Sequence, residues 1–183
     1  MKKLTAILLA ILLLFALGCS RKVVVIKTSP PEKEQPTVAH KAKVNNEASN
    51  NHLRQAKKFY FKGKYKQTQQ HCEKAIEFNH RNWEAHYYLG LAMQKRRHYA
   101  RAVEMLAVGL KFSPDNNFVK SEIHFAIGYS WEKMGDHSNA GKAYKMALSY
   151  NPGNQEARDA RNRLKVEKTM KNWGKDKDKR PEG

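Results

Sequence analysis

The chain has 183 residues, enough for one ordinary domain, and sets 35 Lys and Arg against 17 Asp and Glu for a formal charge of +18. Such an excess points to an anionic partner or surface and says little about fold. The sequence holds no Gly-rich phosphate loop, no H-E-x-x-H and no G-x-S-x-G, which excludes the enzyme classes those motifs carry.

Lys2 and Lys3 precede an apolar run from Leu4 to Leu17. That run is too short for a comfortable membrane span and follows the pattern of an export signal. It ends in Ala16-Leu17-Gly18-Cys19. Small residues before a cysteine resemble the lipobox of bacterial lipoproteins. The resemblance implies a signal peptide over residues 1–18, cleavage before Cys19, and lipidation (palmitate included) of Cys19 as the new N-terminus. The other reading is an ordinary signal peptide with an incidental cysteine. Ser20, rather than Asp, implies by the same resemblance the outer membrane, facing the periplasm. Pro30, Pro31 and Pro36 then break any helical period among charges of both signs, so residues 19–48 read as a flexible tether. Its one apolar patch, Val23-Val24-Val25-Ile26, either lies at the bilayer surface or adds as a strand to a partner's sheet edge.

From Ser49 the sequence becomes periodic. Trp83–Asn116 reads as a helix–turn–helix, with Leu89, Gly90 and Met93 marking its first helix and Ala102, Leu106 and Gly109 its second. Gly128 to Pro152 repeats the separation of Gly90 to Pro114, and Ala140, Tyr144 and Ala147 match Ala102, Leu106 and Gly109. A degenerate earlier unit, about 49–82, has Ala56, Phe59 and Ala75 at the corresponding places and Thr68 where the others have Ala. Cys72 stands where they carry Leu106 and Tyr144, so it reads as a buried structural thiol rather than a redox site. Four extra residues around Asn117–Lys120 precede the third unit, 121–154. Four is close to one turn, so they lengthen its first helix without rotating its faces and add Phe118 at its start. Residues 155–169, with a narrow stripe of Ala157, Ala160 and Leu164, read as a capping helix with a polar outer face. Residues 170–183 read as a disordered basic tail in which Trp173 is the one sticky residue.

The spacing of small and aromatic residues resembles the tetratricopeptide repeat family. The resemblance implies an all-α solenoid of three helix–turn–helix repeats with a C-terminal capping helix. Its first helices would line a concave partner-binding groove, here Leu53, Lys57, Tyr60, Phe61, Tyr87, Leu91, Gln94, Lys95, Phe125, Tyr129, Glu132 and Lys133. A helical or extended peptide with apolar and acidic residues suits such a surface; alternatively some of these aromatics pack between helices. One family variant clamps a C-terminal carboxylate with Lys and Asn, but Leu53 and Lys57 occupy those places here.

Lys62, Lys64, Lys66, Lys95, Arg96, Arg97 and Arg101 cluster at the first two turns and predict a basic edge. That edge suits anionic lipid, glycan or an acidic protein, or it is a solvated face. Nucleic acid fits the charge, but an exported lipoprotein rarely meets it. His52, His86 and His124 occupy equivalent places in the three first helices. A shared metal needs donor atoms ~2 Å from the ion, while stacked helices are ~8–10 Å apart, so they read as packing residues. No cofactor or metal is expected. The sequence thus predicts a non-enzymatic, lipid-anchored adaptor or scaffold for protein–protein interaction in the bacterial envelope, helping to assemble or localise a pilus, secretion or outer-membrane complex. The alternative is a basic module that binds anionic glycan or lipid in the periplasm.

Overall fold

The computed structural model describes residues 38–177. The expected leader 1–18, lipidated Cys19, the Val23-Val24-Val25-Ile26 patch, and residues 178–183 of the tail lie outside the described residues. The described chain is a run of helices with no strand: α1 (Val38–Phe61), α2 (Tyr65–Phe78), α3 (Trp83–Lys95), α4 (Tyr99–Phe112), α5 (Asn117–Lys133), α6 (His137–Tyr150) and α7 (Gln155–Lys177). Among the described residues no helix is long and apolar enough to cross a membrane.

Local chemistry fixes where the helices start. Asn82, Asn116, Asp136 and Asn154 each accept a hydrogen bond from the backbone N–H three residues on, at Ala85, Val119, Asn139 and Ala157. Each satisfies one of the donors a helix N-terminus leaves open. Within each repeat the turn needs one left-handed residue, and Gly63 (φ 71°), Arg97 (φ 64°) and Gly135 (φ 81°) supply it at equivalent positions. Glycine takes this conformation without a Cβ penalty; arginine does not.

α1 packs on α2, α3 on α4 and α5 on α6, and α7 closes the far side of α6. The spacing within each pair rests on one small residue facing one larger one. A Cβ on Gly90 would stand 2.6 Å from Leu106 Cγ, and a Cβ on Gly128 would stand 2.6 Å from the Tyr144 ring. Leu106 and Tyr144 are fully buried. In the first repeat the larger partner has shrunk to Cys72, and the facing position, Ala56, carries the methyl group that glycine lacks; both are fully buried in one cluster. The two substitutions compensate each other in volume. Burial also pushes the Cys72 thiol up to about 12, which leaves it as an inert packing group.

The junctions between repeats are polar. Ser49 Oγ donates to the Ala75 carbonyl and accepts from Asn82 Nδ2, at 2.7 and 2.8 Å. Ser121, Ala147 and Asn154 repeat the arrangement at 2.8 and 3.0 Å. The middle repeat has Trp83 at the serine position, and there Gly109 lets the Trp83 backbone approach, its carbonyl 3.2 Å from where a Cβ would lie. The four-residue insertion lengthens α5 to 17 residues against 13 in α3, and Phe118 stands exposed on the added turn.

Two boundaries differ from those expected. α1 begins at Val38, inside the stretch read as tether, and α7 continues to Lys177, inside the stretch read as disordered tail. Between Pro36 and Ser49 the sequence has Ala and Lys but no Gly or Pro, so a helix nucleated by packing at Ser49 extends upstream at little cost. The same holds past Leu164, where Lys-rich sequence continues the helix through Gly174.

The volume compensation is testable. Cys72→Leu against Ala56 is expected to cost about 1–3 kcal/mol by overpacking. Adding Ala56→Gly recovers part of that loss, less the ~1 kcal/mol that glycine costs inside a helix. Urea unfolding of both variants measures the coupling; strictly additive losses would show that this pair does not set the helix spacing.

Candidate functional site

The first helices of successive repeats touch, α1 with α3 and α3 with α5, whereas no comparable contact joins α2 with α4 or α4 with α6. The stack therefore bends with α1, α3 and α5 on its inner side. Along that side runs a ladder of rings. Phe61 meets Tyr60 edge-on at 5.8 Å, Tyr60 meets Tyr65 at 5.7 Å and Tyr88 at 5.5 Å, Tyr88 meets Tyr87 at 5.6 Å, and Tyr87 meets Trp83 at 6.5 Å. All but the tilted Tyr87–Trp83 contact are edge-to-face, which holds rings rigid without filling every face. Lys57 lies 5.4 Å over the Tyr88 ring and forms an ion pair with Glu84. Further along α5, Lys133 lies 5.2 Å over Tyr129. Burial raises the Tyr60, Tyr87 and Tyr88 hydroxyls above their usual range, so they remain O–H donors at neutral pH.

The expected groove residues divide by what covers them. Leu53 is only 6% exposed, packed with Ala75 and Ala85, and is core rather than groove surface. Small residues on α2 and α3 close over it. Tyr87 and Leu91 are partly buried against Leu106, Ile123 and Ala126, and join the second repeat to the third. Phe125 leans on Tyr144 at 5.8 Å, within the cluster that α7 completes. Lys57 is engaged by Glu84, while Tyr60 and Tyr129 keep half-exposed faces. Phe61, 78% exposed, is the most open ring of the ladder.

Two further inner-face positions serve the fold. Gln94 is buried and donates to the Ala126 carbonyl and to Ser130 Oγ, at 2.6 and 2.7 Å. Glu132 accepts from the Tyr144 hydroxyl at 2.5 Å and from Arg163 at 3.1 Å. Sequence reasoning missed Tyr88, Tyr65 and Glu84. The adjacent pair Tyr87-Tyr88 was the available signal, but the helix crossing decides which ring turns toward α1.

The basic edge residues Lys62, Lys64, Lys66, Lys95, Arg96, Arg97 and Arg101 are all exposed. Arg96 donates to Gln69 of the first repeat, which ties the first two turns together. A recess of about 330 Å³ between the second and third turns is lined by Arg97, His98, Tyr99, Arg101 and Met134. The edge does not run on unchanged, because Asp136 caps α6 at the third turn.

The three equivalent histidines each meet a ring from their own repeat's second helix: His52 stacks on Phe78 at 5.6 Å and His124 on Tyr150 at 5.4 Å, while His86 lies tilted against Phe112 at 6.5 Å. His86 Nε2 lies 3.0 Å from the His80 carbonyl, so Nε2–H donates and the buried Nδ1 keeps its lone pair. Among the described residues no group of three or more His, Cys, Asp or Glu is placed to hold a metal.

Burial holds His71, His86 and His124 below the ordinary histidine value of 6.5, with His52 and Lys74 adding to the effect at His71. A folded value below the unfolded one means stability is fully present above pH 6.5 and falls as the unfolded histidines take up protons below it. The urea midpoint is therefore expected to drop between about pH 7 and pH 5. His124→Phe, which keeps the stack on Tyr150, should flatten that slope; an unchanged slope would show that His124 does not contribute.

Residues 71–104 match the tetratricopeptide repeat family model, a window running from the middle of α2 through α3 into α4. Among solved structures, the chain is similar to the TPR domain of OM64 from Arabidopsis, at 19% identity and a TM-score of 0.61 over 66% of this chain and 96% of that one. It is similar to MamA at 22% identity and a TM-score of 0.62, over 73% of this chain and 78% of that one. It is also similar to the Yersinia enterocolitica type III secretion chaperone SycD, solved with a peptide of the translocator YopD, at 15% identity and a TM-score of 0.59 over 65% and 93% of the two chains. No curated protein matches the chain.

Proposed function

We propose that this tetratricopeptide-repeat protein is a non-enzymatic adaptor that holds a peptide or helix of a protein partner against the ring-lined inner face of α1, α3 and α5. The observation that carries the reading is the ladder itself, rigid through Tyr60, Tyr87 and Tyr88 and open at Phe61, with Lys57 over Tyr88 and, further along α5, Lys133 over Tyr129. Rigid rings offer large contact area at small entropic cost, and the lysines favour acidic neighbours of an apolar anchor. The SycD structure with a translocator peptide supports a peptide as the ligand class. A free C-terminal carboxylate is a poor fit, because Leu53 is buried and Lys57 is already paired with Glu84. The leader and Cys19 support a lipid-anchored protein of the cell envelope, outer membrane and periplasm-facing, where the adaptor helps to assemble or localise a larger complex.

Crosslinked capture from membranes tests the reading. Phe61→Ala with Tyr129→Ala alters half-exposed or exposed rings rather than core, so the helical content should hold while partner recovery falls at least about tenfold. Recovery of the same protein set by both chains would sink the groove reading.

A second reading, in which the turn edge binds anionic glycan or lipid, is favoured by Arg97, which holds a left-handed conformation where Gly63 and Gly135 stand in the other repeats. Strain of that kind persists where a side chain is needed. Arg97→Gly is expected to leave stability unchanged or raise it by up to about 1 kcal/mol, and to weaken salt-sensitive retention on heparin. Unchanged retention counts against this reading.

A further inference from the structure

His52 on α1 and His71 on α2 face each other within the first repeat, their Nδ1 atoms 3.3 Å apart. Packing fixes both rings. Phe59, His71, His52 and Phe78 form one run, with successive centroids 5.1, 5.5 and 5.6 Å apart. The two outer contacts are stacked, and the central His52–His71 contact is tilted at 39°. Both histidines are half-buried and Phe78 beside them is exposed, so the pair lies at the surface of the domain. The positions equivalent to His71 in the other two repeats carry Met105 and Ala143. The facing pair therefore belongs to the first repeat alone among the three.

A separation of 3.3 Å is long for a hydrogen bond from a ring N–H, which normally spans ~2.7–3.2 Å. It fits a different chemistry. With bonds of ~2.0–2.1 Å and the tetrahedral angle that zinc adopts, two imidazole nitrogens on one ion stand roughly 3.3–3.4 Å apart. Adjacent corners of a square-planar ion with the same bonds would need roughly 2.8–3.0 Å. Imidazoles are poor ligands for Mg2+ or Ca2+, which take oxygen donors. His71 is also uncharged at neutral pH, because burial, with His52 and Lys74 adding, holds it below the ordinary histidine value.

We infer that His52 and His71 form a zinc-binding site that clips α1 to α2, each ring giving its Nδ1 lone pair. A ring that carries its proton on Nδ1 in the metal-free chain moves it to its own Nε2, so both rings stay neutral and no net proton is released. No third His, Cys, Asp or Glu among the described residues is placed to join them, so water fills the other two corners of the tetrahedron. A recess of about 310 Å³ adjoins the pair on the His71 side, lined also by Gln70, Glu73, Lys74 and Glu77. There the Glu73 and Glu77 carboxylates offset the Lys74 ammonium, which alone would repel the ion. None of these residues belongs to the ring ladder or to the turn edge, so the site stands apart from the adaptor reading.

The test titrates Zn2+ into the full chain in detergent, first stripped of metal with a chelator, using calorimetry and nitrogen NMR of the histidine rings. One ion per chain is expected, with the Nδ1 resonances of two histidines shifted. His52→Phe keeps the stack on Phe78, and His71→Phe keeps the stack on Phe59. Each should weaken binding roughly tenfold or more, since even a ligand's outer hydrogen-bond partner is worth ~10–100-fold. His98→Asn, at an exposed position outside the site, should leave binding unchanged. Zinc should also raise the urea midpoint of the unsubstituted chain and not that of either phenylalanine variant. The nitrogen shifts need no variant, so they decide the question even where a substitution unfolds the chain. Absence of heat and of Nδ1 shifts, shifts at Nε2 in place of Nδ1, or binding kept in both folded variants overturns the inference. So does one ion per two chains, which would assign the ligands to a site shared between copies.

Discussion

Everything else in this domain depends on how closely the two helices of each repeat approach. That distance is set by one facing pair: Ala56 with Cys72, Gly90 with Leu106, Gly128 with Tyr144. With a Cβ-to-ring separation of 2.6 Å at Gly128, no side chain fits there without moving Tyr144, and close-packed interiors transmit such movements. Much of the remaining core is built of small residues, including Ala75, Ala85, Ala92, Ala102, Ala126, Ala140 and Ala147, beside Leu53, Leu89, Met93 and Ile123. A core of alanines contributes less apolar area per residue than one of leucines. The polar junctions formed by Ser49 with Asn82 and by Ser121 with Asn154 therefore matter, since they satisfy carbonyls and cap the next helix at once.

Close approach within each helix pair and bending toward the inner side determine what the groove can offer. Because α1, α3 and α5 touch, large residues on them such as Tyr87 and Leu91 are drawn into the inter-repeat contact, while Phe125 packs on Tyr144 in the cluster that α7 completes. What remains open is what the contact does not need: Phe61, one face of Tyr60 and of Tyr129, and the lysines over the rings. The binding face is thus a by-product of the packing, and its rigidity comes from the same ring contacts that join the first two repeats.

The antiparallel pairs, the buried Cys72 and the extra turn of α5 were legible in the sequence because they rest on spacing, and spacing is kept between a linear pattern and a helix. Division of inner-face residues between core and surface was not. Leu53 and Phe61 both sit on α1 at positions equivalent to groove places, yet one is covered by Ala75 and Ala85 and the other by nothing comparable. That outcome is decided by residues distant in sequence. Helix ends failed for a different reason: Val38 and Lys177 are set by propensity without burial, and such segments carry no periodic signal.

The third repeat shows how pairing and cap are linked. Tyr144 fills the space Gly128 leaves, and its hydroxyl donates to Glu132 at 2.5 Å. Glu132 in turn accepts from Arg163 of α7 at 3.1 Å. The large residue that sets helix spacing therefore also presents the carboxylate that holds the terminal helix. Leu106, its counterpart in the second repeat, has no hydroxyl to do this, and there Gln94 spans to α5 instead, through the Ala126 carbonyl and Ser130. A phenol is required only where the next element is a single polar helix, since Ala157, Ala160 and Leu164 alone give α7 little apolar area to hold it. With its first half fixed in rotation by Arg163 and Leu164, α7 turns Val166 and Met170 away from the repeats. The exposure of Val166 and Met170 follows from how the cap is fastened.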